Sequence, residues 1–230
     1  YKQFAYLIKQ AVISLITAQR LHVEMVPRPF MSACIEDCMK NGKDLTKGGA
    51  KYNIGPVITG IGIAVVANSL AAIKKLVFEE KSVTMAEIID AINNNWEGYD
   101  ELRAKVQAAP KYGNDDDYVD DIAREIGNFF YQEVHKYKDI NGNHFLSAFM
   151  GISNYLPTGK VLGATPDGRK ATEPISEGVS PYVGTDTSTP LAAMRSAAKL
   201  NQDIHSGGTL LNLRLRIWWQ PNAVRQIWAL

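Results

Sequence analysis

Cysteine is scarce in this sequence and net charge almost nil, and each shortage removes a class of protein. Two cysteines, Cys34 and Cys38, stand in 230 residues, too few for the disulfide framework of a small secreted domain. A reducing compartment, the cytoplasm, is the expectation. Lys and Arg total 25 against 24 Asp and Glu, a net charge of +1. That leaves no electrostatic case for nucleic acid or an anionic membrane surface as partner. No signal peptide is visible, and the chain opens at Tyr1 rather than Met, which hints at a piece of something longer. G-x-S-x-G is absent, so no nucleophile elbow is encoded. Cys34 and Cys38 are four apart with no His nearby, an incomplete metal set, and read as buried thiols sharing one helix face. Internal repeats and low-complexity tails are lacking as well.

Charge is also missing locally. Tyr52 to Ile73 holds no charged residue over 22 positions, roughly the ~20 that span a bilayer. Asn53, Pro56, Thr59, Asn68 and Ser69 interrupt it, and much of the rest is Ala or Gly. Burial in a large core is the reading, with a membrane span the minor alternative. Gly60-x-Gly62 lacks the third glycine of a dinucleotide fingerprint, and no clear strand precedes it.

What is present is mostly helical. Phe4, Leu7, Ile8, Val12, Leu15 and Ile16 recur at helical spacing up to Met25, and Pro27 and Pro29 stop that helix. Phe30 to Lys40 is a second, short helix ended by Asn41-Gly42. Ile63 to Phe78 forms a third. Thr84-x-x-Glu87 is a capping box opening a helix to about Asn95, and Asp100 opens another that ends near Pro110. A long helix starts near Asn114 and the following aspartates, its buried stripe marked by Ile122, Ile126, Phe129, Phe130, Val134 and Tyr137. Asp115 to Asp117 lacks the Gly and distal Glu of a calcium loop and suits a helix N-terminus. His135 reads as solvated, and His205-Ser206 as local turn chemistry. Pro190 starts a last helix through Leu200. Thr209 to Leu215 is strand-like, as is Ile152 to Leu156. Helices outnumber strands, which predicts an α/β class built as part of a barrel rather than a complete doubly wound sheet.

Between them lies the Gly- and Pro-rich stretch Gly151 to Pro181, where Pro166-Asp167-Gly168 predicts a tight turn. Five blocks carry a resemblance: RPFMSACIEDCMKNGKDLTKGGAKYN from Arg28, GIGIAVVANSLAAIKKLVF from Gly60, APKYGNDDDYVD from Ala109, GATPDGRKA from Gly163 and GVSP from Gly178. In this order they resemble the C-terminal half of the glycyl radical enzymes, the pyruvate formate-lyase-like superfamily, on its dehydratase and lyase branch. One departure is Thr189-Pro190-Leu191-Ala192, where the family usually has Gly-Pro-Thr-Ala.

The resemblance implies a partial ten-stranded α/β barrel over residues 1–215. It also implies radical cleavage of C–C, C–O or C–N bonds in a small-molecule substrate, as in a glycerol or diol dehydratase, a choline lyase or a formate acetyltransferase. The parent family's glycyl radical is installed by an activase that uses S-adenosylmethionine and an iron–sulfur cluster, and the full-length parent is expected to be an anaerobic homodimer. Neither family motif of the radical chemistry, Gly-Cys-x-Glu or Arg-Val-x-Gly-Tyr, occurs in this sequence. No catalytic residue, cofactor ligand or metal ligand is therefore carried over, and the fragment alone is expected to be inactive. Ser153, Asn154 and Tyr155 are expected to line the substrate space, and Arg169 to be buried against a carboxylate. Residues 216–230 fit no family pattern and are expected to be a frameshifted tail. The competing reading is a stand-alone binding or scaffold domain without catalysis.

Overall fold

In the computed structural model, which describes residues 1–213, local signals set most of the elements. α1 (Lys2–Met25) ends before Pro27 and Pro29. The next helical stretch is broken in two, α2 (Pro29–Cys34) and α3 (Cys38–Asn41), because Asp37 takes a left-handed φ of 72°. The break separates the two cysteines: Cys34 is exposed and Cys38 buried, so they do not share a helix face.

β1 (Val57–Thr59) leads through Gly60-Ile61-Gly62 into α4 (Ile63–Ile73). A short strand thus does precede the glycine pair. Gly62 caps α4 at φ 87°, a conformation that glycine adopts without a Cβ penalty. A Cβ on Gly60 would lie 2.6 Å from the Phe149 ring, so the turn can lie against that ring only as glycine. α4 continues into a π-helical turn, Lys74–Glu79. Among the described residues no helix is long and apolar enough to cross a membrane.

The capping box is formed as expected. Thr84 N–H donates to Glu87 Oε2 at 2.7 Å and Glu87 N–H to Thr84 Oγ1 at 3.2 Å, opening α5 (Met85–Asn93). α6 (Asp100–Ala108) follows, then α7 (Asp117–His135), capped by Asp116. Val119, Ala123, Ile126, Gly127, Phe130 and Val134 form the buried stripe of α7, while Ile122 and Tyr137 pack beside it partly buried.

β2 (Leu146–Ala148) pairs parallel with β1, Ile58 opposite Ser147. On the other side of β2 a third extended stretch runs parallel: Gly207 N–H donates to Ser147 O (3.0 Å), Phe149 N–H to Gly208 O (2.9 Å) and Leu210 N–H to Phe149 O (2.9 Å). Ile152 to Leu156 is not a strand. It forms a turn and the start of α8 (Tyr155–Val161), because the chain has already left the sheet after Phe149. α9 (Pro190–Ala198) is capped by Thr189. Residues 214–230, the end of the expected last strand and the expected frameshifted tail, lie outside the described residues.

α7 packs on α4 through Ala64, Ala67 and Ala71, small enough to admit Phe130, Phe145 and Phe149 into one core with Ile8 and Val12 of α1. A second core joins Leu76, Ile88, Trp96 and Val106. Tyr112 ties the parts together: its N–H donates to Asn68 Oδ1 (2.8 Å) and its hydroxyl to Val179 O (2.9 Å).

Candidate functional site at the strand ends

The three parallel stretches end on one rim, and α/β folds place ligands outside the carboxyl ends of parallel strands. There β1 delivers Gly60-Ile61-Gly62 and β2 delivers Met150 to Tyr155. The two meet, since a Cβ on Gly151 would sit 3.3 Å from the Ile61 side chain. Ser153 and Asn154 are exposed and Tyr155 is half-buried. Their backbones hold the turn: Asn154 N–H donates to Gly151 O (2.8 Å), Leu156 N–H to Ser153 O (3.2 Å) and Thr158 N–H to Asn154 O (3.1 Å). Ile152 has φ 49° and is 66% exposed. A β-branched residue in that region is an outlier, and such strain gathers at ligand clamps and switch regions. Sequence patterning offered no signal for it.

Beneath the rim lies a pair that sequence reasoning missed. His205 is 3% exposed, and its Nδ1 is 2.8 Å from Ser147 Oγ. Its ring meets Phe149 edge-on at 4.8 Å and Tyr131 at 6.4 Å. Burial pushes its pKa down to about 4, with Asp203 opposing, so the imidazole is neutral. Buried among rings, the pair fastens β2 to the turn before the third stretch. His135, read as solvated, is half-buried and keeps part of its surface exposed. It stacks on His144 (4.2 Å) and Tyr131 (5.1 Å).

The Pro166-Asp167-Gly168 turn forms as predicted, with Gly168 N–H donating to Thr165 O at 3.1 Å and Gly168 at φ 95°. Arg169 is 2% exposed, but among the described residues no carboxylate meets its guanidinium. Nη1 donates to the carbonyls of Lys170 (3.0 Å) and Glu173 (2.6 Å), and Nη2 to that of Gly163. The loop wraps its own arginine with main-chain oxygens, because a charge buried here needs several acceptors at once. The aspartates around the start of α7 gather a lysine. Lys199 Nζ lies 2.8, 2.7 and 2.9 Å from Asp115, Asp117 and Asp120. Among the described residues no cluster has the make-up of a metal site.

Comparison with known proteins places this geometry. Residues 1–159 match the family model described as Pyruvate formate lyase-like, and residues 175–224 the one described as Glycine radical. Trans-4-hydroxy-L-proline dehydratase of Clostridioides difficile is 39% identical over 214 residues, 93% of this chain and 27% of that protein. (2S)-3-sulfopropanediol dehydratase of Klebsiella oxytoca is 39% identical over 220 residues, 93% of this chain and 26% of that protein. The glycerol-bound B12-independent glycerol dehydratase from Clostridium butyricum superposes with a TM-score of 0.94 at 37% identity, covering 99% of this chain and 29% of that one. The chain belongs to the pyruvate formate lyase-like family of glycyl radical enzymes. It spans little more than a quarter of the length of the curated relatives it matches.

Proposed function

We propose that this chain is an interior slice of a glycyl radical dehydratase or lyase, one part of a ten-stranded barrel that shelters a small-molecule substrate. The observation that carries this reading is the close match, in sequence and in backbone, to dehydratases of small hydroxylated compounds over nearly the whole chain. In it, the parent protein cleaves a C–O, C–C or C–N bond by radical chemistry. Its glycyl radical comes from an S-adenosylmethionine and iron–sulfur activase, and it works as an anaerobic, cytoplasmic homodimer. The chain contributes walls and positioning. Ser153, Asn154 and Tyr155 face the substrate from the end of β2, held by the strained turn at Ile152, and the apolar core behind them keeps water out. Residues 1–215 belong to the barrel, and 216–230 are a frameshifted tail, testable in the nucleotide sequence. Alone, residues 1–230 are inactive.

The test is anaerobic incubation of the longer polypeptide, encoded with the reading frame restored after Leu215, with activase, reductant and S-adenosylmethionine. Electron paramagnetic resonance should show a glycyl radical, and trans-4-hydroxyproline, glycerol or propane-1,2-diol should be consumed. In that protein Asn154→Ala should raise KM roughly 3- to 10-fold, the worth of about one hydrogen bond, with an unchanged melting temperature. No radical and no turnover of these compounds would refute the reading.

A further inference from the structure

The three parallel stretches have two faces, and one of them is packed on α7. The Phe149 ring lies 5.3 Å from that of Phe130. Ser147 meets His205, whose ring touches Tyr131 of the same helix, and Ile58 packs into the core that α7 shares. Side chains alternate along a strand, so Val57, Thr59, Leu146, Ala148 and Met150 take the other face. The register agrees, with Thr59 opposite Ala148. So do the contacts: a Cβ on Gly207 would lie 2.6 Å from Val57 Cγ1 and 2.9 Å from Ala148 Cβ. On this second face Val57 and Met150 are 43% and 41% exposed and Thr59 is exposed as well, against 4% for Phe149 on the first.

In a barrel with its helices outside, the face turned from the helices is the inside. Thr59 and Met150 directly precede the Gly60-Ile61-Gly62 and Gly151 to Tyr155 turns, so they continue the rim site down into the barrel. Their chemistry differs. Thr59 brings a hydroxyl, both donor and acceptor. Met150 brings a thioether whose Sδ and Cε lie 3.9 Å from where a Gly208 Cβ would be, so it leans toward the third stretch and narrows the space at that end. Neither 57–62 nor 146–159 holds a charged residue. A charged group brought here would lose water and gain no counter-ion from these strands, whereas a hydroxyl would be matched.

We propose that Thr59 and Met150 set substrate specificity. The Thr59 hydroxyl hydrogen-bonds a substrate hydroxyl and Met150 limits the length of the carbon chain, so the site takes short, uncharged 1,2-diols. This assignment rests on the barrel reading above and adds the inner wall to it. Ser153, Asn154 and Tyr155 then stand at the mouth of the same space.

The test is ligand binding to the unactivated longer polypeptide, encoded with the reading frame restored after Leu215, so that no radical is needed. Ligand-observed NMR titration with propane-1,2-diol, pentane-1,2-diol and trans-4-hydroxyproline gives the dissociation constants. The unaltered protein should bind propane-1,2-diol about 10-fold more tightly than either of the others. Thr59→Val, which keeps the shape and removes the hydroxyl, should weaken propane-1,2-diol roughly 3- to 10-fold, and Thr59→Ser should restore it. Met150→Ala should bring pentane-1,2-diol to within about 3-fold of propane-1,2-diol. A preference of the unaltered protein for trans-4-hydroxyproline or pentane-1,2-diol, or no binding of propane-1,2-diol, would overturn the proposal without any variant having to fold. Unmoved constants in either folded variant would overturn it too. Electron paramagnetic resonance of the activated, unaltered protein separates the two levels: a glycyl radical beside unmoved constants sinks the wall assignment alone, and absence of the radical sinks the reading beneath it.

Discussion

At His205, burial holds a neutral imidazole, lowering its pKa from 6.5 to about 4 against the pull of Asp203. Between those values the unfolded chain binds a proton that the folded chain does not. Stability therefore falls as pH drops from 6.5 toward 4, by roughly 3 kcal/mol at most. Urea unfolding at pH 7.5 and pH 5 should show the loss, and His205→Gln should flatten that part of the profile. An unchanged slope in the variant would remove His205 as its source. Residue-scale features set by near neighbours were legible in the sequence: the Thr84–Glu87 box, the aspartate cap before α7 and the Pro166-Asp167-Gly168 turn. The His205–Ser147 pair was not, because its members stand 58 positions apart and only the parallel register brings them together. Arg169 was readable as buried, but the carbonyls that surround it come from a loop path that no spacing rule encodes.

The longer helices were readable as elements because each carries a full period of apolar positions, whereas α8 was missed and α2 and α3 were read as one helix. The strands were not. β1 and β2 have three residues each, too short for alternation to show, and the apolar run at Ile152 to Leu156 imitated a strand that the sheet had already completed. Between elements, α9 is fastened to α7 by Lys199. Its ammonium bonds to Asp115, Asp117 and Asp120, and these bonds outweigh the desolvation that opposes them and raise its pKa. Asp120 is fully buried, and burial raises its carboxyl pKa in spite of Lys199 and Ser196. Removing the cation leaves that carboxylate, among the described residues, with the Ser196 hydroxyl at 2.9 Å as its one side-chain partner. Lys199→Met should cost about 2–3 kcal/mol, below the usual cost of breaking a fully buried pair because Lys199 is partly exposed. Lys199→Met combined with Asp120→Asn should recover part of it. Chemical denaturation of the two variants checks both.

At the scale of the whole molecule, the parallel ladder leaves one side unpaired among the described residues. Leu146 N–H donates to Pro56 O (2.9 Å) and Gly60 N–H to Ala148 O (2.8 Å). By the alternation of a parallel pair, the main-chain groups of Val57 and Thr59 therefore face away from β2. Among the described residues no other strand pairs with β1, and Val57, with Tyr52 and Ile54 just before it in sequence, is exposed. A sheet edge and apolar surface of this kind call for cover. If the chain is a slice of a larger barrel, as proposed, that cover is the adjoining strand of the longer polypeptide. Hydrogen–deuterium exchange at the Val57 and Thr59 amides tests this most directly. Exchange should be fast in residues 1–230 alone and at least 100-fold slower in the longer protein. Equal rates in the two would contradict the claim that the barrel continues across β1.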